Sequence, residues 1–188
     1  MMYAEKIEDI LEDLEDKELE IAGGSVVGMI LSTVNSLIKY IANLTIGKKN
    51  YIDVEEQVKQ ILQEAEELKK KSMLSIDKDK EVLEKILISY KNRKEEPENY
   101  QQICKEAVEF ALEVVEIAYK TLELSKEIAK VGNKMLASDF KICEYYSIAS
   151  IQASKENYFI NYNSISNEED KEKLNNEYLK ILDKYEVK

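Results

Sequence analysis

Residues that break helices are almost absent from this chain. Proline occurs once, at Pro97, and glycine occurs five times in 188 residues. Apolar residues recur three and four positions apart, which is the spacing of an amphipathic helix and not the alternation of a strand. The chain is also long enough for one domain with a full hydrophobic core. We therefore predict an all-α fold: a single domain over residues 1–188, built as a bundle of five to six helices with long central helices.

Charge and residue content exclude several classes of function. The net charge of −11 argues against a nucleic-acid partner, because such proteins present a basic face. The chain has no histidine and its two cysteines are far apart, so no metal site is expected. No membrane span or signal peptide is evident. We expect a cytoplasmic protein without a membrane partner, in which Cys104 and Cys143 are buried thiols.

The apolar periodicity divides the chain into helices. The second is apolar around nearly its whole circumference, so we place it at the centre of the core, closed by Gly47. The third is predicted to have Asp53 as its N-cap. A polar surface connection precedes the fourth, and residues 166–188 are expected to form a peripheral acidic helix. The predicted segments are helices at Tyr3–Asp16, Val26–Leu44, Val54–Leu87 and Tyr100–Lys130, the connection Lys91–Asn99, a helix that Ser138 and Asp139 precede and that ends near Ile165, and a last helix at Glu168–Tyr185.

A pair of glycines interrupts this helix-rich pattern at Gly23 and Gly24. Each glycine costs roughly 1 kcal/mol in a helix interior, so the pair indicates backbone that must approach something closely. We predict that this something is a ligand, with Ser25 capping the next helix and its first N–H groups directed at the ligand. The alternative is a tight turn between helices with a serine cap.

Several short motifs occur along the chain in a fixed order. They are Gly23-Gly24-Ser25-Val26, Ala42-Asn43-Leu44-Thr45-Ile46-Gly47-Lys48-Lys49-Asn50-Tyr51, Ile76-Asp77-Lys78-Asp79, Tyr90-Lys91, Gly132-Asn133 with Ser138-Asp139, and Asn157 with Asn161. In this order and at this spacing they resemble the formiminotetrahydrofolate cyclodeaminase and methenyltetrahydrofolate cyclohydrolase family. The resemblance covers residues 5–165 and implies an all-α homodimer. It also implies that a tetrahydrofolate derivative is the substrate, with no permanently bound cofactor.

Both reactions of this family pass through a tetrahedral carbon between two nitrogens. One closes the formimino compound to the methenyl compound and expels ammonia; the other adds water to the methenyl bridge and opens it to the formyl compound. Each requires a group that moves protons and a counter-charge for a cationic centre. Asp139, beside a substrate-binding Ser138, is the first candidate for this carboxylate. Its alternative role is an ordinary N-cap of the next helix.

Further charged candidates follow from the other motifs. Asp77 and Asp79 are the second carboxylates; their spacing of two prevents them from sharing a helix face, so at most one should enter a site directly. Of the two, Asp77 is the catalytic candidate and Asp79 is a candidate for substrate binding. Their alternative is a solvated acidic turn. Lys48 and Lys49 would contact the glutamate tail of folate, or one of them would shuttle protons. A solvated pair at a helix end is the alternative.

Three asparagines are candidates for binding the pterin. Asn133, Asn157 and Asn161 each offer a donor and an acceptor in one plane, which suits a pterin edge. Asn157 and Asn161 lie four residues apart and share a helix face, which also suits a structural polar bridge.

Three functional hypotheses remain open. The first is a folate one-carbon enzyme. The second is a folate-binding relative without turnover, suggested by Ala22 and Met135, which replace a glycine and an asparagine that family members tend to carry. The third is a helical interaction protein.

We also predict an obligate homodimer, because Val26–Leu44 is too apolar for one small domain to cover together with Val54–Leu87.

Overall fold

A computed structural model of the chain describes residues 7–15 and 21–185. Within these ranges every regular element is helical, and the predicted all-α fold is confirmed. Residues 3–6 and 16 of the first predicted helix lie outside the described part. The helices are α1 (Ile7–Glu15), α2 (Gly23–Asn43), α3 (Glu55–Asn92), α4 (Pro97–Val131), α5 (Ala137–Tyr162) and α6 (Glu168–Lys184), with short 3-10 helices at Lys49–Val54 and Lys134–Leu136.

Four long helices form the body of the bundle. Helix α2 packs against α3 and α5, and α4 packs against the same two helices from the opposite corner. Leu31 and Ile38 of α2 and Val108 and Val115 of α4 are completely buried. Burying a side chain of this kind stabilises the fold by roughly 1.5–3 kcal/mol. The predicted long central helices are therefore confirmed.

The beginning of α2 differs from the prediction. The helix starts at Gly23, three residues before Val26, and its N-cap is Ala22, which makes no capping side-chain bond. Ser25 is therefore inside the first turn and does not cap the helix. Its hydroxyl and N–H both donate to Asp79 of α3 instead, and this tertiary contact replaces the local cap.

The other predicted boundaries also shift. Asp53 lies in a 3-10 helix, and α3 begins after it with Val54 as a cap that makes no side-chain bond. Helix α4 begins at Pro97, because proline has no N–H to lose in the first turn of a helix. Ser138 and Asp139 lie within the first turn of α5 and do not precede it.

Gly47 also plays a different part from the predicted one. It is the described glycine with a positive φ, +74°, and it follows the end of α2 by a turn instead of capping the helix directly.

The C-terminal helix is less peripheral than predicted. Leu174 and Tyr178 of α6 are buried, and the Tyr178 ring stacks on Tyr158 of α5 at a centroid distance of 4.6 Å. Stacked aromatic pairs add to the free energy gained from burial alone. Helix α6 therefore completes one side of the core.

Helix α2 has the length and mean hydropathy of a membrane span, and among the described helices it is the one that does. Half of that apolar window is buried inside the bundle. Contacts with α3, α4 and α5 therefore account for much of its apolar character.

The two cysteines are free and buried, as predicted. Burial, followed by the nearby charge of Asp139, raises the pKa of Cys143 to about 12. Burial also raises the pKa of Cys104. Thiols of this kind stay protonated and are poor nucleophiles.

Candidate active site

A groove with a volume of about 380 Å³ lies at one end of the bundle, between the start of α2 and the faces of α3, α4 and α5. We call it the folate groove, after the ligand that the sequence predicts. Its walls include apolar side chains such as Val82, Ile86 and Phe110. Its polar lining contains Asp79, Tyr90, Tyr100, Ser154, Asn157 and Asn161.

Asp79 is the carboxylic acid of the folate groove. Its Oδ2 accepts hydrogen bonds from the Ser25 N–H at 2.8 Å and from the Ser25 hydroxyl at 2.9 Å. Burial raises the pKa of Asp79, and the two bonds from Ser25 offset part of this rise. A carboxyl whose pKa is raised lies closer to neutral pH, where it exchanges protons more effectively.

Gly24 provides the space that this carboxyl occupies. A Cβ atom built on Gly24 would lie 1.9 Å from Asp79 Oδ1, whereas one on Gly23 would meet nothing within 4 Å. The close approach predicted for the glycine pair is therefore present, but at Gly24 it is made to Asp79 and not to a ligand. Both glycines still line the groove.

The α5 wall supplies neutral hydrogen-bonding groups. Asn157 and Asn161 both face the groove, as their spacing predicted. Asn161 Nδ2 donates to the Asn157 backbone oxygen at 2.9 Å. The bond leaves its second N–H and its Oδ1 with hydrogen-bonding capacity toward a ligand.

Two tyrosines of the groove were not predicted as site residues. Tyr90 and Tyr100 meet edge to face at 6.0 Å, and the Arg93 guanidinium lies 3.8 Å above the Tyr90 ring. Burial raises the pKa of Tyr100, so its hydroxyl stays protonated. Such rings form a wall suited to a flat ligand.

The helical spacing in the sequence predicts most of the α3 part of this groove. Val82, Leu83, Ile86 and Tyr90 follow Asp79 by three, four, seven and eleven residues. Positions so spaced share one face of a helix. The neighbours of Asp79 on α3 are thus readable from the sequence once Asp79 is taken as the centre of the site.

Apart from Asp77, which lies on α3, the remaining predicted residues lie at the other end of α2. Gly24 and Leu44 are twenty residues apart, which in a helix corresponds to roughly 30 Å. Within one chain, the structure therefore does not bring this second group together with the folate groove. We call it the loop end, and it comprises Thr45, Gly47, Lys48, Lys49, Asn133, Ser138 and Asp139.

Asn133 connects two segments of the loop end. Its backbone N–H donates to Thr45 Oγ1 at 2.9 Å, and its Nδ2 donates to the Leu44 carbonyl at 3.2 Å. Its Oδ1 accepts from the Met135 N–H at 3.1 Å. Both ends of the amide thus hold the loops in place, where the sequence predicted contact with a pterin edge.

The other candidates are more open to solvent. Lys48, Lys49 and Ser138 are exposed, and Asp139 is half-buried in the first turn of α5, where a negative charge is favourable. Asp77 is half-buried on α3 but is not part of the groove lining, in keeping with its spacing of two from Asp79. The roles predicted for these residues stay predictions.

A second groove, of about 420 Å³, continues along the seam between α3 and α4. Its rim carries charges of both signs, and Lys78 pairs with Glu113 at 2.8 Å. The two grooves share Phe110 and Val114. The second lacks the half-buried, serine-bonded carboxyl and the amides of the folate groove, so it is a weaker candidate for catalysis.

The bundle and its groove define an all-helical protein with a half-buried acid placed beside amides and aromatic rings. The chain belongs to the formiminotransferase-cyclodeaminase family, whose model matches residues 6–180. The resemblance predicted from the sequence motifs is therefore confirmed.

Two individual relatives agree with this assignment. The chain is 27% identical over 164 residues to a methenyltetrahydrofolate cyclohydrolase from Methylorubrum extorquens, covering 84% of this chain and 79% of that protein. It is also similar to the crystal structure of formiminotetrahydrofolate cyclodeaminase from Thermotoga maritima. That match has a TM-score of 0.91 and 26% identity, and it covers 99% of this chain and 92% of the other.

Proposed function

We propose that this protein is a folate-dependent one-carbon enzyme, a formiminotetrahydrofolate cyclodeaminase or a methenyltetrahydrofolate cyclohydrolase. The observation that carries the proposal is the environment of Asp79. Its carboxyl lines the groove together with the amides of Asn157 and Asn161, Ser25 holds it through one oxygen, and its pKa is raised. The family assignment and the two named relatives support it. The substrate is a tetrahydrofolate derivative, no cofactor is permanently bound, and the enzyme works in the cytoplasm.

The folate groove suits the pterin part of such a substrate. Its volume of about 380 Å³ falls within the usual range for small-molecule sites. Asn157 and Asn161 offer donors and acceptors to the pterin edge, and Tyr90 and Tyr100 offer an aromatic wall for the ring system.

Asp79 can move the protons that both reactions require. In the deaminase reaction, N10 of the folate attacks the formimino carbon and forms a tetrahedral centre. Asp79 accepts the N10 proton and returns it to the amine, which leaves as ammonia. In the hydrolase reaction, water attacks the methenyl carbon; Asp79 accepts a proton from the water and gives it to the folate nitrogen whose bond to that carbon breaks. The remaining hydroxyl proton passes to solvent as the formyl C=O forms. The negative charge of Asp79 also stabilises the cationic one-carbon unit.

The outward face of α5 supports a homodimer. Ile142, Tyr145, Tyr146 and Ile160 are 40%, 65%, 51% and 68% exposed. Their spacing places them on one side of the helix, together with two exposed alanines. This largely apolar face, which the exposed Glu156 interrupts, is the kind of surface that a partner covers. The sequence predicts that α2 needs the second subunit, but α3 and α5 of the same chain cover much of it, so we assign the dimer contact to α5.

An α5-to-α5 contact would also unite the two groups of predicted residues. Asp139 lies near the start of this helix and Asn161 near its end. In a two-fold dimer whose axis is perpendicular to α5, the two α5 helices run in opposite directions along the same face. The loop end of one subunit would then lie beside the folate groove of its partner.

A spectrophotometric assay tests the proposed activity directly. The purified chain is mixed with formiminotetrahydrofolate or with methenyltetrahydrofolate, and formation or loss of the methenyl absorbance is followed. Turnover of at least one compound is expected. Binding without turnover would support the non-catalytic relative instead, and absence of binding would support the helical interaction protein.

Sedimentation analysis tests the dimer. Tyr145→Glu places a charge on the α5 face and should convert the protein to a folded monomer of 21.8 kDa. Leu179→Glu, at a site on α6 that is 44% exposed, is the matched control and should leave the dimer intact. A parent chain that sediments as a folded monomer at micromolar concentration would contradict the proposal.

A further inference from the structure

The hydrogen bonds around Asp79 are asymmetric. Both donors from Ser25 converge on Oδ2, at 2.8 Å from the N–H and 2.9 Å from the hydroxyl. The other oxygen, Oδ1, fills the space where a Gly24 side chain would stand. One carboxyl oxygen is therefore anchored to the start of α2, and the other lies against the glycine that lines the groove.

From this geometry we infer that Ser25 is a positioning residue, which orients the Asp79 carboxyl and sets how readily it releases its proton. The inference rests on the proposed function of Asp79. It adds a role for the glycine pair: Gly24 makes room for Oδ1 while the next residue holds Oδ2.

Ser25 is itself fixed in place. It is completely buried, and its hydroxyl also lies 3.4 Å from the Ile76 carbonyl on the same helix as Asp79. The Ser25 N–H lies in the first turn of α2, one residue before the first intrahelical hydrogen bond, in which the Val26 N–H donates to the Ala22 carbonyl. Such N-terminal N–H groups favour a negative charge nearby.

The surrounding elements supply few other charges that could control Asp79. Among the described residues that line the groove, the other titratable groups are Tyr90 and Tyr100. Helix α5 contributes the neutral asparagines. Lys78 and Lys80 flank Asp79 in sequence, and Lys78 pairs with Glu113 of α4. Burial raises the pKa of Asp79, and the bonds that lower it come from Ser25.

The sign of the expected pH effect does not depend on the direction of proton transfer. The serine bonds stabilise the charged carboxylate, so removing the hydroxyl raises the pKa of Asp79 further. If the reaction needs the ionised acid, the acidic limb of the rate profile moves to higher pH. If it needs the protonated acid, the basic limb moves to higher pH.

The principal test compares Ser25→Ala with the parent enzyme. The expected result is a shift of the Asp79 limb of kcat/KM to higher pH, with a several-fold loss of kcat and little change in KM. Carbon-13 NMR titration of the Asp79 carboxyl, assigned by its absence in Asp79→Asn, should shift in the same direction. Ser25→Thr retains a hydroxyl and should restore the parent profile.

A control on the same helix separates this role from a general loss of a hydroxyl. Ser36 is exposed, and its hydroxyl donates to the Ser32 carbonyl within α2. Ser36→Ala should leave both the rate profile and the Asp79 titration unchanged. An unchanged Asp79 titration in Ser25→Ala would overturn the inference.

The glycine pair provides a second test that does not depend on the stability of Ser25→Ala. Gly24→Ala forces a methyl group against Oδ1 and should displace the carboxyl, change its titration and lower the rate. Gly23→Ala has nothing within 4 Å of the new methyl and should leave the titration unchanged. If Gly24→Ala keeps the parent titration, the geometry on which the inference rests is wrong.

The same variants distinguish failure of the inference from failure of the proposed function. A fully active Asp79→Asn would remove Asp79 from the chemistry, and with it the catalytic meaning of Ser25. An inactive Asp79→Asn together with a parent-like titration in Ser25→Ala would leave the proposed function standing and reject the positioning role.

Discussion

The folate groove and the loop end contain the same kinds of residues, yet their polar groups are used differently. In the groove, Asp79 is anchored by one oxygen and Asn161 by one N–H. At the loop end, the Asn133 amide is bonded at both ends to loop backbone. Residue type alone thus does not identify a site; the hydrogen-bonding capacity that the fold leaves available does.

The largest expected effect is on turnover, and it distinguishes the folate groove from the loop end. Asp79→Asn retains the shape of the side chain but can no longer accept and return a proton. We expect turnover to fall by about 10²–10⁴-fold, the usual cost of losing a positioned acid–base group. Steady-state assays with both folate substrates give the measurement, and Asp77→Asn, two residues away and outside the groove lining, is the matched control.

Asp139→Asn then decides whether the loop end belongs to the same site. Its turnover should also fall if the dimer places Asp139 beside the groove of the partner subunit. Parent-like turnover would limit the loop end to a structural role and would contradict the proposed α5 contact.

Subunit mixing sharpens this comparison. If each site combines Asp79 of one subunit with Asp139 of the other, a heterodimer of the two inactive variants contains one intact site. Random exchange makes about half of the dimers heterodimers, so about a quarter of the parent activity should return. Two carboxylates that act within the same subunit would give no recovery, and this outcome would reject the shared site.

How far the sequence predicts this molecule differs between fold and site. The helix pattern predicts the six helices well, because apolar spacing reflects burial within the chain. It misses the start of α2, because the cap role of Ser25 is replaced by a bond to Asp79, 54 residues away. The aromatic wall escapes prediction for a similar reason: Tyr90 and Tyr100 meet only after α3 and α4 have packed together.

The hydrogen bonds around Asn133 at the loop end should respond to mutation mainly through stability. Thr45 is buried, and its Oγ1 accepts the Asn133 N–H while donating to the Ile41 carbonyl. Thr45→Val keeps the shape but leaves the Asn133 N–H without this partner. We expect a loss of about 1–3 kcal/mol in the free energy of unfolding, measured by urea denaturation. An unchanged midpoint would show that solvent satisfies the N–H equally well.

In the folate groove, by contrast, a substitution that lowers activity should raise the stability of the fold. Because burial raises the pKa of Asp79, the ionised carboxylate destabilises the folded state relative to the neutral acid. That acid contributes stability at low pH, which is lost as the pH rises through the folded-state pKa. Asp79→Asn, always neutral, should therefore unfold at a higher temperature than the parent at neutral pH. The gain should be smaller than the Thr45→Val loss, because the Ser25 bonds offset part of the burial cost.

Lowering the pH provides the internal control for this prediction. The difference in melting temperature should diminish as the parent Asp79 becomes protonated in both the folded and the unfolded state. A difference that stays constant from neutral to acidic pH would assign the effect to packing instead of charge.

The smallest expected effect compares one glycine from each region. Gly47 has a φ of +74°, and a Cβ there would meet nothing within 4 Å, so Gly47→Ala isolates the cost of the left-handed backbone. We expect a loss of about 1 kcal/mol, or roughly 2–4 °C in melting temperature for a chain of this size. Gly23→Ala, with equal space but no positive φ, should instead be neutral or stabilise the protein by up to about 1 kcal/mol, because alanine restricts the unfolded chain. Equal destabilisation by both variants would contradict this explanation, because Gly23 has the same open space as Gly47 but lacks the positive φ.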